Sequence, residues 1–86
     1  MIVSDILSSA TSVSELESSV TSLLQNGIMV DYNTYADALI NLASEYDNCA
    51  NEIKEFQAVL NSGNDVLIES KQQQLEAAIA IGEAAD

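Results

Sequence analysis

Proline, histidine, tryptophan and arginine are all missing from this chain, cysteine occurs once and glycine three times. Each absence removes a class of chemistry. Without histidine there is no imidazole to serve as general base, so serine, threonine and cysteine nucleophiles lack their usual activator. A lone cysteine, Cys49, can form no intramolecular disulfide and no thiolate cluster for zinc. With Lys54 and Lys71 as the only basic side chains, few groups could displace counterions from a phosphate backbone, which excludes direct binding to DNA or RNA. No run approaches the roughly 20 apolar residues of a membrane span, and no membrane association is expected. The opening Met1-Ile2-Val3-Ser4-Asp5 lacks the positive start and apolar stretch of a secretory signal. The expected location is therefore cytoplasmic, in the producing cell or in a host.

Acidic and apolar residues dominate what is present. Fourteen Asp and Glu against two Lys give a formal net charge of -12, while hydrophobic residues make up 48% of the 86 positions. That apolar share favours a folded chain over a disordered one. The length fits one domain, residues 1–86, since halves of this size could scarcely bury separate cores.

Two glycine sites punctuate the chain. Asn26-Gly27 and Ser62-Gly63-Asn64-Asp65 have the composition of a helix end followed by a turn, and they divide the chain into three segments. The middle segment carries the strongest pattern: Tyr32, Tyr35, Leu39, Leu42, Tyr46, Cys49, Ile53, Phe56 and Leu60 alternate steps of three and four. At this composition, nine such hits in a fixed register would arise by chance about once in 700 trials. The pattern predicts one long helix of roughly 45 Å, started by Asp31 or Asn33. Ala36, Ile40, Ala43, Ala50 and Val59 widen its apolar face enough for two neighbours.

Those neighbours are the outer segments. The first has Val3, Ile6, Leu7, Ala10, Val13, Leu16, Val20, Leu23 and Leu24 at helical spacing, and Ser12-Val13-Ser14-Glu15 resembles a capping box that would split it in two. Its many serines and threonines interleave with that stripe and read as the polar side of a helix. The third segment has Val66, Leu67, Ile68, Leu75, Ala78, Ile79 and Ala80, interrupted by the polar run from Glu69 to Gln74, where looser packing is expected. The predicted fold is all-α, a small antiparallel three-helix bundle with a long central helix and the option of a fourth, short N-terminal helix.

No constellation for catalysis emerges, and the chain is expected not to be an enzyme. Lys54 lies off the seam and Lys71 in a polar run, so both read as solvated ammonium groups. The alternating Asp/Asn ligands of a calcium loop are missing around the glycines, no glycine-rich run could cradle phosphate, and no cofactor or metal is expected. Cys49 reads as a small buried hydrophobe with an inert thiol. Tyr32, Tyr35 and Tyr46 read as core residues with wet hydroxyls, the first two the more exposed.

Function is then sought in the charge. Neither lysine has a carboxylate three or four residues away, so no pair within one helix neutralises the surface. Asp37, Glu45, Asp47, Glu52 and Glu55 border the seam or face outward, and they are the candidate residues for recognising a basic protein surface. A DNA duplex of about 45 Å would carry roughly 26 charges, about twice the total here, so only partial imitation of nucleic acid is possible. The leading expectation is an acidic helical inhibitor of a nucleic-acid-handling complex, of the sort phages and mobile elements encode. The alternative is a structural or assembly protein, of phage-morphogenesis or secreted helical-hairpin type, whose seam pairs with a helical partner or with its own copy.

Overall fold

A computed structural model describes residues 2–85. Among them the regular elements are all helical: α1 (Val3–Ser8), α2 (Val13–Gln25), α3 (Tyr32–Ala43), a 3-10 turn (Asp47–Cys49), α4 (Ala50–Ser62) and α5 (Asp65–Ala85). The all-α expectation holds, and so does the division of the first segment into a short and a longer helix. The chain forms two compact units, Met1–Leu42 and Ala43–Asp86.

In the first unit, α1 packs on α2. Leu7 is buried from α1, and Leu16 and Leu23 from α2, one heptad apart on the same stripe. Ser12 starts α2: its hydroxyl accepts from the Glu15 N–H at 3.1 Å, the first half of a capping box. Glu15 turns to Thr11, accepting from its hydroxyl at 2.7 Å. The end of α2 is set by Gly27, whose φ of 77° lies in the left-handed region. There the Gly27 N–H donates to Leu24 C=O at 3.0 Å and the Ile28 N–H to Leu23 C=O at 2.9 Å, closing the carbonyls the helix leaves open.

The second unit is a hairpin of α4 and α5. Gly63 ends α4 with a φ of 70°, and the Asn64 side chain starts α5 by accepting from the Val66 and Leu67 N–H groups at 3.2 and 3.3 Å. Glu55 and Lys71 each lie eight residues from Gly63, and they meet across the hairpin. Such symmetry about the turn is the mark of antiparallel packing. Phe56, Cys49, Leu75 and Ile79 are fully buried here. The polar run from Glu69 to Gln74 does not interrupt α5, which continues for 21 residues.

The middle segment departs from the single long helix its spacing predicts. The helix stops at Ala43, Tyr46 takes an extended conformation at φ -118° and ψ 121°, and helical structure resumes through the 3-10 turn. The cause is composition. Ser44, Tyr46, Asp47, Asn48 and Cys49 are all mediocre helix formers, costing together about 2 to 3 kcal/mol relative to alanine. Tertiary contacts favour the break. The Asn48 side-chain amide donates to Ala78 C=O at 2.9 Å, and the Tyr46 ring lies against Gly82 so closely that a Cβ there would sit 2.6 Å from it. The seam still behaves as an interior on both sides of the break: Leu39, Leu42, Cys49 and Phe56 are buried, and Tyr46, Ile53 and Leu60 half-buried.

Candidate functional site

The five candidate carboxylates fall into two groups. Asp37 belongs to the first unit, exposed on α3, while Glu45, Asp47, Glu52 and Glu55 belong to the second. Glu45 lies in the break and Asp47 opens the 3-10 turn, both exposed. Their position follows from the break, because the chain that leaves the helix there turns its polar residues to the surface.

Glu52 and Glu55 differ from these two. Glu52 is half-buried in the first turn of α4, and its Oε2 is buried without a hydrogen-bond partner. Glu55 accepts a charged hydrogen bond from Lys71 Nζ at 3.1 Å, with 54% of its side chain exposed. Lys71 also donates to Gln74 Oε1 at 3.3 Å. The reading of Lys71 as a purely solvated ammonium is therefore corrected: its partner comes from the neighbouring helix, sixteen residues away, where within-helix spacing cannot find it. Lys54 is exposed, as expected.

Cys49 is wholly buried, and burial, reinforced by the charge of Glu52, raises its thiol pKa above the ordinary value. That environment disfavours the thiolate, so the sulfur is unsuited to nucleophilic work. Tyr32 is exposed and Tyr35 half-buried; their rings lie 6.3 Å apart at 42° in a tilted pair. Among the described residues, no group of three or more His, Cys, Asp or Glu could hold a metal ion.

One cleft escaped the sequence reading. Ser4, Asp5 and Ser8 of α1 face Thr34, Asp37 and Asn41 of α3 around a volume of about 250 Å³. Its signal was present in the spacing: each set repeats at helical intervals and so lies on one face. What spacing could not supply was the approach of the two helices. Two hydroxyls elsewhere in this unit bond back to the helix they adjoin, Ser9 to Ile6 C=O at 2.7 Å and Thr21 to Glu17 C=O at 3.0 Å. They are thus used structurally, in keeping with the polar-face reading.

No protein-family model, curated protein or solved structure matches the chain. No helix among the described residues is long and apolar enough to cross a membrane.

Proposed function

We propose that this is a non-enzymatic acidic protein that binds a basic surface of a partner protein. The observation that carries the reading is the charge: fourteen carboxylates against two lysines, of which Lys71 is already engaged by Glu55. A surface of one sign accelerates encounter with the opposite sign and disfavours association with its own copies. A nucleic-acid-binding protein is the natural partner class, since its basic groove is built for a polyanion, and a phage or mobile element would gain from blocking it. Glu45 and Asp47 are the most available members of the second unit's set, Glu55 being paired and Glu52 sheltered.

The experiment is affinity capture from the producing cell or its host at low and high salt, using wild type, Glu45→Gln/Asp47→Asn and Glu52→Gln/Glu55→Gln. The expected result is a basic protein retained only at low salt, lost more completely with the first variant than with the second. Equal retention by all three at both salt levels would remove the electrostatic reading of this face.

A second reading, assembly with a helical partner or another copy, is favoured by Val66 and Ile81 of α5, which are 77% and 66% exposed. It draws on exposed apolar residues outside the seam, Met29 among them, because the heptad seam is buried or half-buried apart from Tyr32. Salt-insensitive capture, lost on Val66→Ser/Ile81→Ser, would support it.

A further inference from the structure

A groove runs along α2 from Ser18 to Asn26, walled by Ile6 of α1 and by Ile28 of the turn that follows α2. The sequence fixes that second wall. Gly27 ends the helix, and the Ile28 N–H donates to Leu23 C=O at 2.9 Å, which brings Ile28 back beside the buried Leu23. Ser18, Ser22 and Asn26 form one row of side chains at steps of four, Ser19 and Leu23 form the next, and the short serines leave the space above them open. That space measures about 480 Å³, above the roughly 300 Å³ at which ligand sites begin. Both isoleucine walls adjoin exposed apolar residues: Ile2 lies one turn before Ile6, and Met29 follows Ile28 in the chain.

Shape and charge select the occupant. Asn26 follows Ser18 by eight positions, so the groove extends for about 12 Å along α2. A helix that presents apolar residues at i, i+3 or i+4 and i+7 spreads them over about 10.5 Å, which matches that length. Small serines let its backbone come close. Carboxylates border the groove on α2: Glu15 lies one turn before Ser19 in the same row, and Glu17 lies across the Ser18 and Ser22 row, in a second depression that shares those two serines. Residues 1–42 hold no lysine, arginine or histidine, so no basic side chain of this unit competes for them. A second copy would bring its own net charge of -12 to that border, whereas a cationic helix brings the opposite sign.

We propose that this α1–α2 groove receives a cationic amphipathic helix of the basic partner, which seats apolar side chains from successive turns against Ile6, Leu23 and Ile28 and sets lysines or arginines beside Glu15 and Glu17. The inference rests on the reading of the protein as a binder of basic surfaces, and it gives that function a place in the first unit. Burial in the groove fixes the register and slows release, while the carboxylates speed encounter.

The test is titration of the full ¹⁵N-labelled chain with a two-heptad peptide of leucine and lysine in an amphipathic helical pattern, followed by amide chemical shifts. Saturating shifts are expected at Ser18, Ser19, Ser22 and Ile28. Ser22→Gln fills the groove from an exposed helical position without changing charge, and should lower affinity about ten-fold at unchanged helicity. Ser70→Gln, the same change on an exposed stretch of α5, should leave affinity within about two-fold. Glu17→Gln should weaken binding by a smaller factor that vanishes in high salt. A lysine and serine peptide of the same charge should bind about ten-fold more weakly, and so should a leucine and glutamate peptide of the same apolar pattern. Shifts spread over the acidic residues of both units, equal binding by either control peptide, or unchanged affinity in Ser22→Gln would overturn the proposal. So would groove shifts that grow with protein concentration alone, which would give the site to a second copy. Each result is read without the captured partner and without Glu45 or Asp47, so the groove and the salt-dependent capture fail separately.

Discussion

The polar bonds of α1 and α2 in the first unit and those that join elements of the second differ in reach. In the first, the hydroxyl and amide bonds of α1 and α2 close locally: Ser8 to Ser4, Thr21 to Glu17 and Asn26 to Ser22 each span four residues. In the second, Lys71 reaches Glu55 over sixteen residues and Asn48 reaches Ala78 over thirty. These bonds of α1 and α2 fix the course of single helices, while those of Lys71 and Asn48 also tie one element of the second unit to another. Local bonds constrain the backbone of one element. Long-range ones exclude alternative packings, because a shifted hairpin would strand the Asn48 amide away from its acceptor.

The sharpest way to break the second unit is Gly82→Ala. On an isolated helix it would stabilise by about 1 kcal/mol. Here the new Cβ would lie 2.6 Å from the Tyr46 ring and 2.9 Å from Asn48 Oδ1, and overpacking of this kind costs about 1 to 3 kcal/mol. The expected outcome is net loss of stability, read by denaturant unfolding, with amide exchange accelerating first in α5 and the 3-10 turn. A net gain would mean that Tyr46 does not rest on this glycine. The matching change in the first unit is Ser12→Ala, which removes the cap of α2 and should cost about 1 kcal/mol. Its exchange effect should begin at the start of α2. If both substitutions accelerated the same amides, the contrast between the units would be lost.

Smaller effects refine the picture. Lys71→Gln removes a pair that is substantially exposed, and such pairs contribute about 0.2 to 1 kcal/mol, less in high salt. A salt titration of its unfolding should converge with wild type near molar ionic strength. Cys49 gives the pH arm. Its folded pKa is raised, so the unfolded chain releases the thiol proton first, and stability is intact below about pH 8.5 and declines as pH rises beyond it. Cys49→Ala should flatten that decline relative to wild type, and a thiol reagent should react slowly until denaturant is added.

How much of this was legible beforehand follows the same contrast of reach. The helix ends at Gly27, Gly63 and Asn64 and the Ser12 cap were readable, because each depends on residues within a few positions. Buried positions were readable too, since a seam stepping by three and four marks an interior whether or not the backbone is continuous. Continuity itself was not. The run from Ser44 to Cys49 is weak in helix propensity, yet heptad counting ignores it, and the contacts of Tyr46 and Asn48 with α5 lie more than two dozen residues away. Gly82, set within an alanine-rich helix, was the one sequence hint of that packing. Among the candidate carboxylates, type and exposure were legible for Asp37, Glu45 and Asp47. The pairing of Glu55 and the sheltering of Glu52 were not, because both depend on tertiary surroundings.

The central claim, that the carboxylate surface serves binding, is tested most directly by the dissociation constant of the captured partner against salt concentration. The account predicts that affinity for wild type falls steeply from low to physiological salt. Glu45→Gln/Asp47→Asn should bind more weakly at low salt, through slower association, and approach wild type as salt screens both. Circular dichroism and melting temperature should stay near wild type, as both side chains are exposed. Salt-independent affinity, with the substituted chain binding as tightly as wild type at low salt, would contradict the account.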